Sequence, residues 1–145
     1  MMNTQEKLKN AQNLVYFKIT YLPETHQIES EWMGFINDVE SSKQAYFLMS
    51  EFLSQYRCEA ILNSNKKQVG PWPKIDEWLA DTWLPHMQMT GLKYFAHLHS
   101  RNLFTQVSAE RAFANIPKGI FLEHFYEEEQ ARQWLLRQST RGLRR

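Results

Sequence analysis

Cysteine is nearly absent from this chain of 145 residues: Cys58 stands alone. A single thiol makes no internal disulfide, which fits a reducing compartment and excludes a disulfide-stapled scaffold. Glycine and proline are scarce, five of each. They gather into no linker, so a single domain over residues 1–145 is expected. No apolar run approaches the roughly 18 residues of a membrane span. Met1 to Lys7 is polar with no apolar stretch behind it, so no secretory signal is expected and the cytoplasm is the expected location. The formal net charge is only +1, without the basic excess of a general nucleic-acid binder. The one basic cluster, Arg137, Arg141, Arg144 and Arg145, closes the chain, and residues 139–145 read as a solvated basic tail.

Catalytic signatures are missing too. There is no Gly-rich phosphate loop of the GxGxxG or GxxxxGK type, no CxxC or HExxH, and no Gly-x-Ser-x-Gly. No cofactor is expected, and the protein is not expected to be an enzyme. Cys58 opens a short apolar stretch, where a thiol ordinarily serves as a small hydrophobe.

Aromatic residues, by contrast, are plentiful: five Trp, six Tyr and nine Phe. A chain of this length buries roughly two thirds of its unfolded surface, and these rings supply a substantial core. Residues 1–12 read as a polar lead-in. Val15, Phe17, Ile19 and Tyr21 then alternate with Tyr16, Lys18 and Thr20, and Ile28, Ser30 and Trp32 alternate with charged neighbours. The two segments predict an antiparallel hairpin with one wet face. Between 38 and 56 the period changes to helical, with Tyr46, Met49, Phe52 and Leu53 on one side. Residues 58–62 read as a buried strand and 63–67 as a polar loop. A helix follows from 70 to 91, kinked or broken into two pieces near 82–84 by Pro85 and ended by Gly91. A strand over 93–99, short helical segments over 100–113 with Ser108 as a second N-cap, a strand over 120–125 and a last helix from Glu127 complete the chain. Helices between the later strands make those strands parallel.

From Ile61-Leu62-Asn63 to Gly70-Pro71-Trp72, and again at Glu77-Trp78, Trp83-Leu84-Pro85 and Gly91-Leu92-Lys93-Tyr94-Phe95-Ala96, the sequence resembles small bacterial proteins of the STAS or SpoIIAA-like group. These are distantly similar in fold to CRAL-TRIO lipid-binding domains. The resemblance implies an α/β domain with a mixed five-stranded sheet, an N-terminal antiparallel hairpin followed by three parallel strands, and helices chiefly on one face. It implies a non-enzymatic regulatory or protein-interaction module. Some members switch by phosphorylation in an Asp-Ser-Ser/Thr-Gly motif after a central strand. The loop at 63–70 lacks that pattern, and Ser64 is its one hydroxyl, a phosphosite candidate by position whose ordinary role is a turn serine.

In open α/β sheets ligands sit beyond the carboxyl ends of parallel strands. Asn63, Ser64, Asn65, Gly70, Trp72, Trp78, Tyr94 and Ser100 are therefore the candidate surface for a protein partner or a small hydrophobic ligand, although any one tryptophan is ordinarily core. His97 and His99, two apart on a strand, face one way and form a candidate metal pair that His124 or His86 would complete. The ordinary reading is histidines hydrogen-bonded at a strand end. Lipid binding and thiol or metal-dependent catalysis are the alternative functions, and homodimerisation through the hairpin edge is open, with Lys18, Glu29 and Glu31 able to protect that edge.

Overall fold

Three strands, β1 (Gln5–Lys9), β2 (Val15–Leu22) and β3 (Gln27–Gly34), form an antiparallel meander. The structure, a computed structural model, describes residues 3–143, with side chains as far as residue 138. The side chains of the basic tail at 139–145 lie outside the described residues. Beyond the meander the sheet continues in parallel through β4 (Ala60–Gln68), β5 (Tyr94–Leu98) and β6 (Phe121–Phe125), in the order β1-β2-β3-β4-β5-β6. The sheet thus has six strands, not five. The extra one is β1, in the segment read as a lead-in: of its five residues only Leu8 is apolar, too few for a period-two signal, but it hydrogen-bonds along β2. The hairpin edge expected to be open is covered by β1. Lys18 and Glu31 face each other across β2 and β3, 3.7 Å apart.

Helix α1 (Val39–Tyr56) starts where Asp38 accepts the Ser41 N–H and stops where Arg57 turns left-handed, with φ 53°. Between β4 and β5, α2 (Asp76–Trp78) and α3 (Leu84–Thr90) are one rod, joined by a π-helical turn over Leu79–Trp83. The Leu84 N–H reaches back to the Leu79 carbonyl. This wide turn is the disturbance expected from Pro85, which has no N–H to give. Gly91, with φ 123°, ends the rod. Helix α4 (Leu103–Ala112) is one segment, not two: Asn102 caps it, and Ser108 accepts instead from the Trp72 N–H at 3.0 Å. Helix α5 (Glu128–Leu143) begins with acids at its positive end.

Sequential strand order combined with right-handed crossovers carries α1, α2–α3 and α4 to one face. There Phe17, Ile19, Ile28, Ile61 and Phe95 meet Tyr46, Met49, Phe52, Trp83 and Phe113 in the main core. On the other face α5 lays Ala131 and Leu135 on Ala60, Leu62 and Ala96. These small residues let the helix approach β4 and β5. The α5 face of β2 and β3 is left wet, and Arg132 of α5 reaches across to Glu29 at 2.9 Å.

Candidate functional site

The carboxyl ends of β4 and β5 carry two polar constructions, one on each face of the sheet. Both depend on β4 running on to Gln68, through the stretch read as a loop. Asn63, Ser64 and Asn65 are buried strand residues; for Asn63, polar partners on β3 and β5 replace the apolar neighbours a strand usually needs. A bulge follows: β3 advances from Glu31 to Met33 while β4 advances from Ser64 to Lys67.

On the main-core face, Asn63 Oδ1 accepts from Trp32 Nε1 and Ser30 Oγ, both at 2.7 Å. An indole N–H can only donate, so it fixes the amide orientation and turns Asn63 Nδ2 toward His97 Nδ1 at 3.1 Å. His97 therefore accepts at Nδ1 and carries its proton on Nε2, which is buried without a partner. His99 and His124 share a hydrogen bond of 3.1 Å, and the His97 and His99 rings lie 4.9 Å apart. His99 Nδ1, Trp72 Nε1 and both amide atoms of Asn65 are likewise buried without partners. Burial, with the two neighbouring histidines, pushes His97 well below the ordinary imidazole value. His99 is lowered by burial and by His124, and His124 by burial, against the opposing pull of Glu110 on both and of Glu123 on His124. All three are neutral near pH 7.

On the α5 face, a cleft of about 650 Å³ opens between β3, β4, the turn after β5 and the start of α5. Ser64 lies in it, 8% exposed, its Oγ accepting from the Lys66 N–H at 3.3 Å. Ser100 ties the walls together: its hydroxyl donates to the Gln68 carbonyl at 2.6 Å and accepts from the Asn102 N–H at 3.0 Å. Thr105 of α4 donates to the Gly70 carbonyl at 2.8 Å. Gly70 has φ +83°, and a Cβ there would stand 2.7 Å from the Phe35 ring, so glycine stands two residues beyond β4 for conformational and steric reasons.

The eight candidate surface residues therefore do not form one surface. Ser64 and Ser100 line the cleft. Asn63 and Asn65 are sealed on the opposite face. Trp72 packs edge-on against His97 and Phe113. Trp78 sits on α2 against Phe47, with the Lys43 ammonium 5.2 Å from its ring centre. Tyr94 stacks on Phe121 and meets Trp134. His97, His99 and His124 do come together, whereas His86 lines a separate depression with Ser50 and Ser54. Among the described residues no group of three His, Cys, Asp or Glu side chains is placed to hold a metal ion. Cys58 is buried, its thiol pushed up to about 11 by burial, which leaves it a poor nucleophile at neutral pH. The cleft's charged residues were visible as types in the sequence, but only the fold gathers them: Glu29 and Glu31 share a strand face, and Arg101 follows β5.

No family model matches the sequence, and no curated protein matches it. Among solved structures, the chain is similar to a crystal structure of an uncharacterized DUF3478-family protein with a SpoIIAA-like fold from Shewanella loihica PV-4. The two are 13% identical with a TM-score of 0.50, over 82% of this chain and 91% of that one. The fold is SpoIIAA-like. Among the described residues no helix is long and apolar enough to cross a membrane.

Proposed function

We propose that the protein is a non-enzymatic regulatory or protein-interaction module that docks a partner protein on the outer face of α4. The observation behind this is the inverted distribution of side chains on that helix. Thr105, Ser108, Ala109 and Ala112 are its buried residues. Leu103, Phe104 and Val107 are 71%, 68% and 51% exposed. Burying one such apolar side chain is worth roughly 1.5–3 kcal/mol, and the fold leaves all three outside. Arg101 and Arg111, both exposed, flank this stripe, so the complementary partner presents an apolar groove with an acidic rim. The SpoIIAA-like fold supports the reading, as does the burial of the Cys58 thiol. A cytoplasmic location belongs to the same proposal and rests on the lone cysteine. A hydrophobic-ligand carrier fits less well, because charged, hydroxyl and amide groups line the cleft.

The test is capture by the native chain and by the triple variant Leu103→Ser, Phe104→Ser, Val107→Ser, with the captured protein identified and the complex rebuilt from purified components. Exposed positions tolerate these changes, so folding is checked by circular dichroism and retained. A rebuilt complex lost in the variant supports the proposal. Equal capture by both chains overturns it, and so does binding of the native chain to anionic phospholipid vesicles without any protein partner.

A further inference from the structure

From the charge arrangement in the cleft on the α5 face, we propose that it is a binding site for a small organic phosphate. Three acids and three bases line it, but they are not equivalent. Glu29 and Glu128 both bind Arg132, at 2.9 and 3.1 Å. Glu31 faces Lys18 at 3.7 Å. The three acids are thus answered by two cations from outside the cleft lining, Arg132 being shared by Glu29 and Glu128. Lys66, Lys67 and Arg101 have no ion pair among the described residues. The unanswered charge is therefore positive, although the formal count of lining charges is balanced.

Further features of the cleft suit an organic phosphate. Asn102, the N-cap of α4, is in the lining, so the positive end of that 10-residue helix lies beside the cleft; the α5 end, which carries Glu128 and Glu129, adds no positive charge. The Ser64 hydroxyl accepts one hydrogen bond from Lys66, which leaves its proton for an anionic oxygen. Gln68, only 3% exposed, is among the lining residues, and its Oε1 is buried without a partner. Leu62 and Val69 supply apolar wall. The volume, about 650 Å³, falls in the range of small-molecule sites. A phosphate held by Lys66, Lys67 and Arg101, with its organic part against Leu62 and Val69, uses all of these groups. The site shares Arg101 with the border of the α4 surface but none of Leu103, Phe104 and Val107.

Calorimetric titration of the full chain with glycerol phosphate and adenosine monophosphate tests the assignment, at low and physiological salt. Lys66→Gln and Arg101→Gln are the variants, and Lys7→Gln on β1 is the control. All of these side chains are exposed, so the variants fold, and their thermal midpoints verify it. Saturable binding of either probe is expected, weakened about tenfold in each cleft variant and unchanged in the control. No saturable binding in the millimolar range by either probe overturns the assignment, as does binding that the cleft variants leave unchanged. Loss of α4 docking in the serine variant with phosphate binding intact would separate the two sites.

Discussion

Lowering the pH is expected to destabilise this protein beginning near the ordinary histidine value, well before its carboxylates are protonated. The perturbation acts on His97, His99 and His124, all depressed mainly by burial. In the unfolded chain each takes up a proton below about pH 6.5. In the folded chain each resists, so over that window the unfolded state binds more protons and stability falls as the pH falls. Above the unfolded value both states are neutral and the effect vanishes. Each histidine held neutral costs about 1.4 kcal/mol per pH unit below 6.5, down to its folded value. His97, fully buried with a partnerless Nε2, sets the largest single contribution, up to about 2 kcal/mol at pH 5. His124 is half-buried and, like His99, lies near Glu110, so these two contribute less. Urea unfolding between about pH 7.5 and pH 5 measures the slope. His97→Gln, which keeps a side-chain acceptor for Asn63, is expected to lower that slope by close to one proton. A native slope near zero over this range, or an unchanged slope in His97→Gln, would refute the reasoning.

Three further outcomes follow from the same geometry. Asn63→Ala leaves Trp32 Nε1, Ser30 Oγ and His97 without their shared partner; a loss of about 3 kcal/mol is expected by urea unfolding at neutral pH. Gly70→Ala forces a side chain onto φ +83° beside Phe35; because the exposed Phe35 ring can give way, the expected cost is only about 1 kcal/mol, seen as a lower thermal midpoint. Cys58, buried with its thiol raised to about 11, is expected to resist iodoacetamide at neutral pH in the folded protein and to react on unfolding, as mass spectrometry would read directly.

The sequence made the regular elements with strong periodicity legible. The alternation at Val15–Tyr21, the helical stripe through Tyr46, Met49, Phe52 and Leu53, and the disturbance at Pro85 all appear in place. What escaped was structure carried by polar residues. β1 has a single apolar residue, Leu8, and is a strand because β2 offers a hydrogen-bonding edge. Asn63, Ser64 and Asn65 look like loop, and only the sheet register brings Ser30, Trp32 and His97 beside Asn63. Ser108 looks like a cap but serves Trp72, 36 residues away in sequence. The histidine cluster was half legible, since His97 and His99 share a strand face by alternation, whereas His124 joins through the pairing of β5 with β6. The cleft was the least legible feature. Its unanswered charge depends on Arg132 reaching Glu29 across 103 residues of sequence.

The claim that α4 carries the docking surface is tested most directly by photocrosslinking in the native cell, with p-benzoylphenylalanine placed at Phe104 or at Phe47. Both positions are exposed, 68% and 53%, and lie on different helices. Docking on α4 gives a discrete crosslinked protein from position 104 and none from position 47. No crosslink at 104, or the same product from both positions, would contradict it.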